Sequence, residues 1–207
     1  MAAMNPDVMK RYMKAVHTTM ASSHEHFALT GLYAEIGEIF SEDKRELFHG
    51  QRHDSSRWAH EVGDVIYYLT AGVIAWKIEI ADDLWSKLPT EAPEAALMSF
   101  HGFAMGLGVM MNKIVLEGPS AAEIRKSFFM LNAFCLKLGT TFEEVIEQSR
   151  GRLREKFMKH NLRGALPYGA TLEDFGRVEA ARVFFEGGPP PEGDSLHWYE
   201  MAMEAFS

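Results

Sequence analysis

Apolar residues along this chain recur at the three- and four-residue steps of an α-helix and rarely at the two-residue step of a strand. The first run follows Asn5-Pro6-Asp7, which supplies an N-cap, a proline at the first helical position and an acid in the first turn. Met9, Met13, Val16 and Met20 then share one face. A second helix is predicted over about 23–48, with Gly50 as its stop. A third starts near Ser55-Ser56 and carries Trp58, Val62, Val65, Leu69 and Val73 to about Ile80. Thr90 caps a fourth, which runs to about Leu116. It contains Gly102, Gly106 and Gly108, implying close approach by another helix of this chain or of a second subunit. After Gly118-Pro119, Ser120-x-x-Glu123 is a capping box for a fifth helix ending at Gly139. Thr141-x-x-Glu144 opens a sixth, through about Lys159.

The character changes after Arg163. GALPYGA, a helical stretch over Leu172–Phe185, GGPPPEG and SLHWYEMAMEAF follow one another. The proline run is a semi-rigid spacer, and the final segment is too apolar to stay solvated. The expected organisation is an all-α domain over 1–163, an antiparallel helical bundle, plus a C-terminal extension over 164–207. That extension should dock on the core or on a neighbouring subunit. No long-period repeat is present.

Composition narrows the possible partners. Against 21 basic residues stand 29 acidic ones, a formal charge of −8 that leaves no basic stripe for nucleic acid. An acidic chain can still bind an anionic nucleotide if metal ions stand between carboxylates and phosphates. Cys135 is the single cysteine, so neither an internal disulfide nor a thiolate zinc site is expected. The start of the chain lacks a signal-peptide pattern, and no apolar run reaches membrane-spanning length. A cytoplasmic protein without membrane contact is expected.

Two carboxylate pairs carry the chemistry. Glu35 and Glu38 are i, i+3 on the second helix, and Glu61 and Asp64 repeat that spacing on the third. A helix hairpin would gather all four around one volume, where their repulsion and lost hydration call for divalent cations. Carboxylate oxygens suit Mg²⁺ or Mn²⁺. Such pairs often mark only a solvated face. Here, however, the third helix reads WAHEVGDVIYYLTAGVIAW, apolar on nearly every side, which draws Glu61 and Asp64 inward.

The flanking residues carry a resemblance. Gly31-Leu32-Tyr33-Ala34-Glu35-Ile36-Gly37-Glu38, a spacer of 22 residues, and Glu61-Val62-Gly63-Asp64-Val65-Ile66-Tyr67-Tyr68-Leu69 resemble the MazG family of all-α nucleoside triphosphate pyrophosphohydrolases. Dimeric dUTPases and dCTP pyrophosphatases share its superfamily. Tyr68 sits where the pattern places an aromatic. Ser149, Arg152, Leu153 and Lys156 are similar to the family's last core helix, with Ser149 standing where Asn is usual. The match covers about 23–82 well and 130–160 moderately; about 83–129 looks like an insertion, and the tail is unmatched.

The resemblance implies a MazG-type bundle, Mg²⁺ or Mn²⁺ on Glu35, Glu38, Glu61 and Asp64, and water attack on the α-phosphorus giving a nucleoside monophosphate and pyrophosphate. Glu38 is expected at the centre of the metal cluster and Glu35 beside the attacking water. Lys113, Arg125, Arg152 and Lys156 are candidates for phosphate oxygens, each also readable as a solvated helix flank. Tyr12, Phe27, Trp58, Tyr68 and Trp85 are candidates to face the base; for Phe27 and Trp58 core packing is the stronger expectation. Insertion and tail set the chain apart from the compact dCTP and dUTP enzymes, so dGTP or GTP is the favoured substrate, with dUTP or dCTP the alternative. A homodimer or homotetramer is expected, in the host cytoplasm if the chain is phage-encoded. The non-enzymatic rival is a helical oligomerisation module whose carboxylates only form ion pairs.

Three further features are weighed and set aside. His53-Asp54 is similar to the metal dipeptide of HD-type phosphohydrolases, but it falls in a loop where Asp54 is better placed as an N-cap. Glu46-x-x-His49 is half of a di-iron motif without its second half. The many methionines are core filler at helical spacing.

Overall fold

The computed structural model describes residues 4–81, 83–91, 98–161 and 170–207. Among these, every regular element is a helix. In chain order they are α1 (Pro6–Thr19), α2 (Glu25–His49), α3 (Ser55–Ala75), α4 (Asp83–Ser86), α5 (Phe100–Glu117), α6 (Ala121–Lys137), α7 (Phe142–Asn161), α8 (Leu172–Glu186) and α9 (Ser195–Phe206). No helix of the described residues is long and apolar enough to cross a membrane.

Local chemistry sets most of the ends. The Asn5 side chain accepts from the Asp7 amide at 3.0 Å. Gly50 closes α2 in the left-handed region at φ 62°. Asp54 accepts from the amides of Ser56 and Arg57 at 3.0 and 3.3 Å, so it caps α3 as expected. Thr141 and Glu144 bond each other's backbone at 3.1 and 2.8 Å. Ser120 caps α6, but Glu123 pairs with Lys126.

Two ends differ from the pattern. α3 stops at Ala75, not near Ile80, because Lys77 takes φ 54° and the Ile78 amide turns back to the Val73 carbonyl at 3.0 Å. The helix placed at Thr90 starts instead at Phe100, where Ser99 accepts from the Gly102 amide at 2.9 Å. Residues 92–97 of that expected helix lie outside the described residues, as does the 163/164 boundary.

α3 is the axis of the molecule, with α1, α2, α6 and α7 packed around it. Trp58, Val62, Val65, Ile66 and Leu69 are fully buried, each contributing about 1.5–3 kcal/mol by leaving water. The α2–α3 pairing is antiparallel: Glu46 near the end of α2 meets Trp58 near the start of α3, and Phe27 near the start of α2 meets Tyr68 in the later half of α3. Positions rising along one helix thus meet positions falling along the other. The glycines of α5 serve this chain's own packing. A Cβ at Gly106 would lie 3.2 Å from the Met130 sulfur on α6, and one at Gly108 would lie 3.2 Å from the Phe40 ring on α2. The C-terminal helices α8 and α9 pack on each other and on α1. Lys14 pairs with Glu204, and Arg150 and Arg154 donate to the carbonyls of Ala205 and Phe185 at 2.7 and 2.6 Å.

Candidate functional site

The α2–α3 hairpin brings Glu35, Glu61 and Asp64 together, with one carboxylate oxygen of each within 4.8 Å of the others. Asp64 is buried, while Glu35 and Glu61 are half-buried. Glu38 is not the centre of this group: it is exposed. The reason is helical geometry, since i and i+3 side chains point about 60° apart. On α2 Glu35 faces the partner helix while Glu38 turns toward the rim, whereas on α3 both Glu61 and Asp64 join the group. Glu38 still raises the carboxyls of Glu35 and Glu61 through its charge.

Crowding shows in the proton affinities. Burial first, then the charge of Asp64, pushes the Glu35 carboxyl up to about 7. Glu61 is raised for the same two reasons in the same order. Basic side chains from α7 answer this negative charge. Lys156 pairs with Asp64, and the Arg152 Nη2 lies 3.6 Å from the Asp64 Oδ1. Gly63 gives the guanidinium its room, since a Cβ there would lie 3.2 Å from Nη2. The Nε and Nη2 of Arg152 are buried yet donate no hydrogen bond. His60 Nε2 stands 3.7 Å from Asp64, and burial, then Arg152, holds the imidazole below its ordinary value.

Of these groups Glu35, Asp64, Arg152 and Lys156 border a cavity of about 290 Å³. Glu35, Asp64, Arg152, Lys156 and Ser149 supply its polar side; Phe27, Tyr67, Tyr68, Leu153 and Phe157 supply its apolar wall. Tyr68 tilts against Phe27 with ring centroids 5.5 Å apart. Burial pushes the Tyr68 hydroxyl up to about 12, with Glu35 and Asp64 adding to the effect.

Of the residues singled out for phosphate, Arg152 and Lys156 line this cavity; Lys113 and Arg125 do not, and Lys113 acts instead on Glu123. Of the aromatics, Phe27 and Tyr68 line it. Trp58 and Trp85 are fully buried elsewhere, against Phe134 and Phe128. Tyr12 reaches the site indirectly, its hydroxyl 3.1 Å from the Ser149 Oγ. The departure from Asn at 149 therefore keeps a polar contact. Tyr67, Thr19 and Phe157 carried no signal in the sequence beyond helical apolar spacing. Neither discarded metal motif forms a group: among the described residues only Glu35, Glu61 and Asp64 cluster at metal-ligating distance. Glu46 is occupied by the Trp58 Nε1 and by His53, at 2.5 and 2.9 Å.

The donor set suits a hard divalent cation. Octahedral oxygens at about 2.1 Å from an ion stand roughly 3 Å apart when adjacent and roughly 4.2 Å apart when opposite. Donors already within 4.8 Å of one another need only side-chain adjustment to meet that geometry. All three are carboxylates, the chemistry Mg²⁺ and Mn²⁺ prefer.

A linked pH dependence follows for the metal-free protein. Glu35 rises from 4.5 to about 7 on folding, so its contribution to stability is full below pH 4.5 and is lost as pH rises through about 7. A divalent ion has to displace that proton, so Mg²⁺ affinity should climb across the same window and level off above it. Calorimetry at pH 6 in buffers of different ionisation enthalpy should register proton release; affinity flat between pH 5 and 8 would contradict the assignment.

No protein-family model, curated protein or solved structure matches the chain.

Proposed function

We propose that the chain is a Mg²⁺- or Mn²⁺-dependent nucleoside triphosphate pyrophosphohydrolase of MazG type, acting on dGTP or GTP in preference to dUTP or dCTP. The observation that carries the reading is one cavity lined by Glu35 and Asp64, two of three clustered carboxylates, and by the half-buried Arg152, whose buried Nε and Nη2 make no hydrogen bond. An anion is the natural occupant facing Arg152, and a cation the natural occupant between the carboxylates.

In this reading Glu35, Glu61 and Asp64 hold the metal, with Glu38 the fourth donor at the rim. When bound, the ion neutralises the triphosphate and lowers the pKa of the attacking water. Arg152 and Lys156 bind phosphate oxygens, which requires Lys156 to leave Asp64. Glu35 takes the proton of the water as it attacks the α-phosphorus. The bond between that phosphorus and the bridging oxygen breaks, and pyrophosphate leaves with the electron pair. Phe27, Tyr67 and Tyr68 offer the base and sugar an apolar wall. The preference for a purine rests on the insertion and the C-terminal extension.

Assembly as a dimer or tetramer belongs to the same proposal. Phe48, Leu116, Leu172 and Phe175 are more than half exposed, which favours further burial. A sedimentation mass equal to the 23.4 kDa monomer at micromolar concentration would overturn it.

One observation favours the oligomerisation module. Asp64 already has Lys156 and Arg152 as counter-charges, so part of the cluster is neutralised without metal. Metal-dependent pyrophosphate release separates the readings. Wild type should release it from a panel of the eight common ribo- and deoxyribonucleoside triphosphates plus dUTP, and Glu38→Gln should be impaired. A wild type inert with Mg²⁺ and Mn²⁺ leaves the module; a kcat/KM for dUTP or dCTP above that for dGTP reverses only the base preference.

A further inference from the structure

We infer that Arg177, locked to Asp174 inside α8, is a positioning residue for the cavity and holds the wall formed by the end of α1 and its connector to α2. The inference rests on the nucleotide reading of that cavity. Both side chains are 1% exposed, with Arg177 Nη2 3.0 Å from Asp174 Oδ1. A buried ion pair is a poor way to glue helices, since well-packed apolar residues often do so as well or better. What the pair adds is direction. Arg177 Nη1 donates to the carbonyls of His17 and Thr18 at 2.8 and 3.0 Å, groups that the last turn of α1 cannot satisfy internally. Asp174 accepts from the Ser23 amide at 2.9 Å and faces the Ser23 hydroxyl at 3.1 Å.

The pair thus grips both ends of residues 17–23. Inside that stretch, Thr19 and Ala21 line the cavity, and Phe27 follows in the first turn of α2. Thr19 is braced on its other side by Tyr67. No residue of α8 lines the cavity, so Arg177 reaches it indirectly, through the backbone of the connector and through its charge on Tyr67. The three carboxylates come from later turns of α2 and from α3, beyond the connector's reach. Loosening it should weaken nucleotide binding and leave the metal group intact.

The test uses the full chain with Arg177→Met combined with Asp174→Asn, which leaves no unpaired buried charge, and separately Ser23→Ala, which touches only the far end of the grip. Disrupting such a buried polar junction should raise KM, and the Kd of a non-hydrolysable α,β-methylene triphosphate, about tenfold. Values of kcat should stay within about threefold, because the transition-state contacts are untouched. Affinity for Mg²⁺ alone should not change, and backbone amides of residues 18–23 should exchange about tenfold faster with deuterium. Arg177→Lys keeps the charge without the fork and should fall between. The folded double variant, or Ser23→Ala where the double variant does not fold, overturns the inference if KM and exchange stay at wild-type values. Equal losses of kcat and Mg²⁺ affinity overturn it too, since they indicate general loosening. A wild type inert toward every triphosphate removes the nucleotide reading and this inference together; an active wild type with unperturbed variants removes this inference alone.

Discussion

Asp64→Asn should lower Mg²⁺-dependent pyrophosphate release at least a thousandfold, roughly 4 kcal/mol of transition-state stabilisation, while leaving the protein folded. Asp64 is the most buried of the three carboxylates and touches both basic residues of the cavity. An amide oxygen there is a weak ligand for a hard cation. The fold should survive because two opposing effects nearly cancel. Lys156 and Arg152 lose a counter-charge, but Glu35 and Glu61 lose the neighbour that ranks next to burial in raising both. The thermal midpoint should therefore move by no more than about 4 °C. The Glu35 carboxyl should fall from about 7, which a carboxyl carbon-13 titration of the metal-free variant reads directly. A fully active variant would remove Asp64 from the site, and an unfolded one would make it structural.

Gly31→Ala and Gly37→Ala, two turns apart at most on the same helix, should have opposite effects. Alanine in a helix interior is worth about 0.8–1 kcal/mol over glycine, if nothing else changes. At Gly37 nothing else does: the position is exposed, and a Cβ meets no atom within 4 Å. That variant should be stabilised by the propensity difference. At Gly31 the Cβ would fall on the ring of Tyr68. The ring leans on Phe27 and is rigid, so it has to swing away from α2. Overpacking of this kind costs about 1–3 kcal/mol, more than the propensity gain. Moving Tyr68 also reshapes the cavity wall, and kcat/KM should fall about ten- to a hundredfold. Urea unfolding and steady-state kinetics check both variants. Adding Tyr68→Ala to Gly31→Ala should return the lost stability in a double-mutant cycle. Stabilisation by both glycine replacements would mean the ring has somewhere else to go.

Much of the fold is legible because its determinants lie within one helical turn of each other. Asn5 with Pro6, Asp54 with Ser56, and Thr141 with Glu144 state where a helix begins, and Gly50 states where one ends, whatever surrounds them. The largely apolar character of residues 58–76, on nearly every side of the helix, likewise places α3 at the centre of the core without reference to any partner. Local signals also misplace some ends. Lys77 closes α3 in a conformation normally taken by glycine, and no residue type announces that.

The site divides along the same line. Spacing alone puts Glu35 with Glu38 and Glu61 with Asp64 on shared helix faces, and an apolar helix draws the second pair inward. Which carboxylates meet is a matter of rotation about two packed helices. Glu35 turns in and Glu38 turns out, a 60° difference that the sequence pattern treats as equivalent. The basic residues make the point more sharply. Lys113, Arg125, Arg152 and Lys156 all lie on helical flanks, but of these four only Arg152 and Lys156, both on α7, pair with Asp64. The Tyr12–Ser149 contact and the grip of Arg177 on residues 17–23 join positions more than a hundred residues apart. Such contacts leave no periodic trace, because each exists only where several helices have packed and excluded water together. Periodicity and capping therefore determined the helices and the candidate carboxylates, whereas packing alone decided which side chains share a cavity.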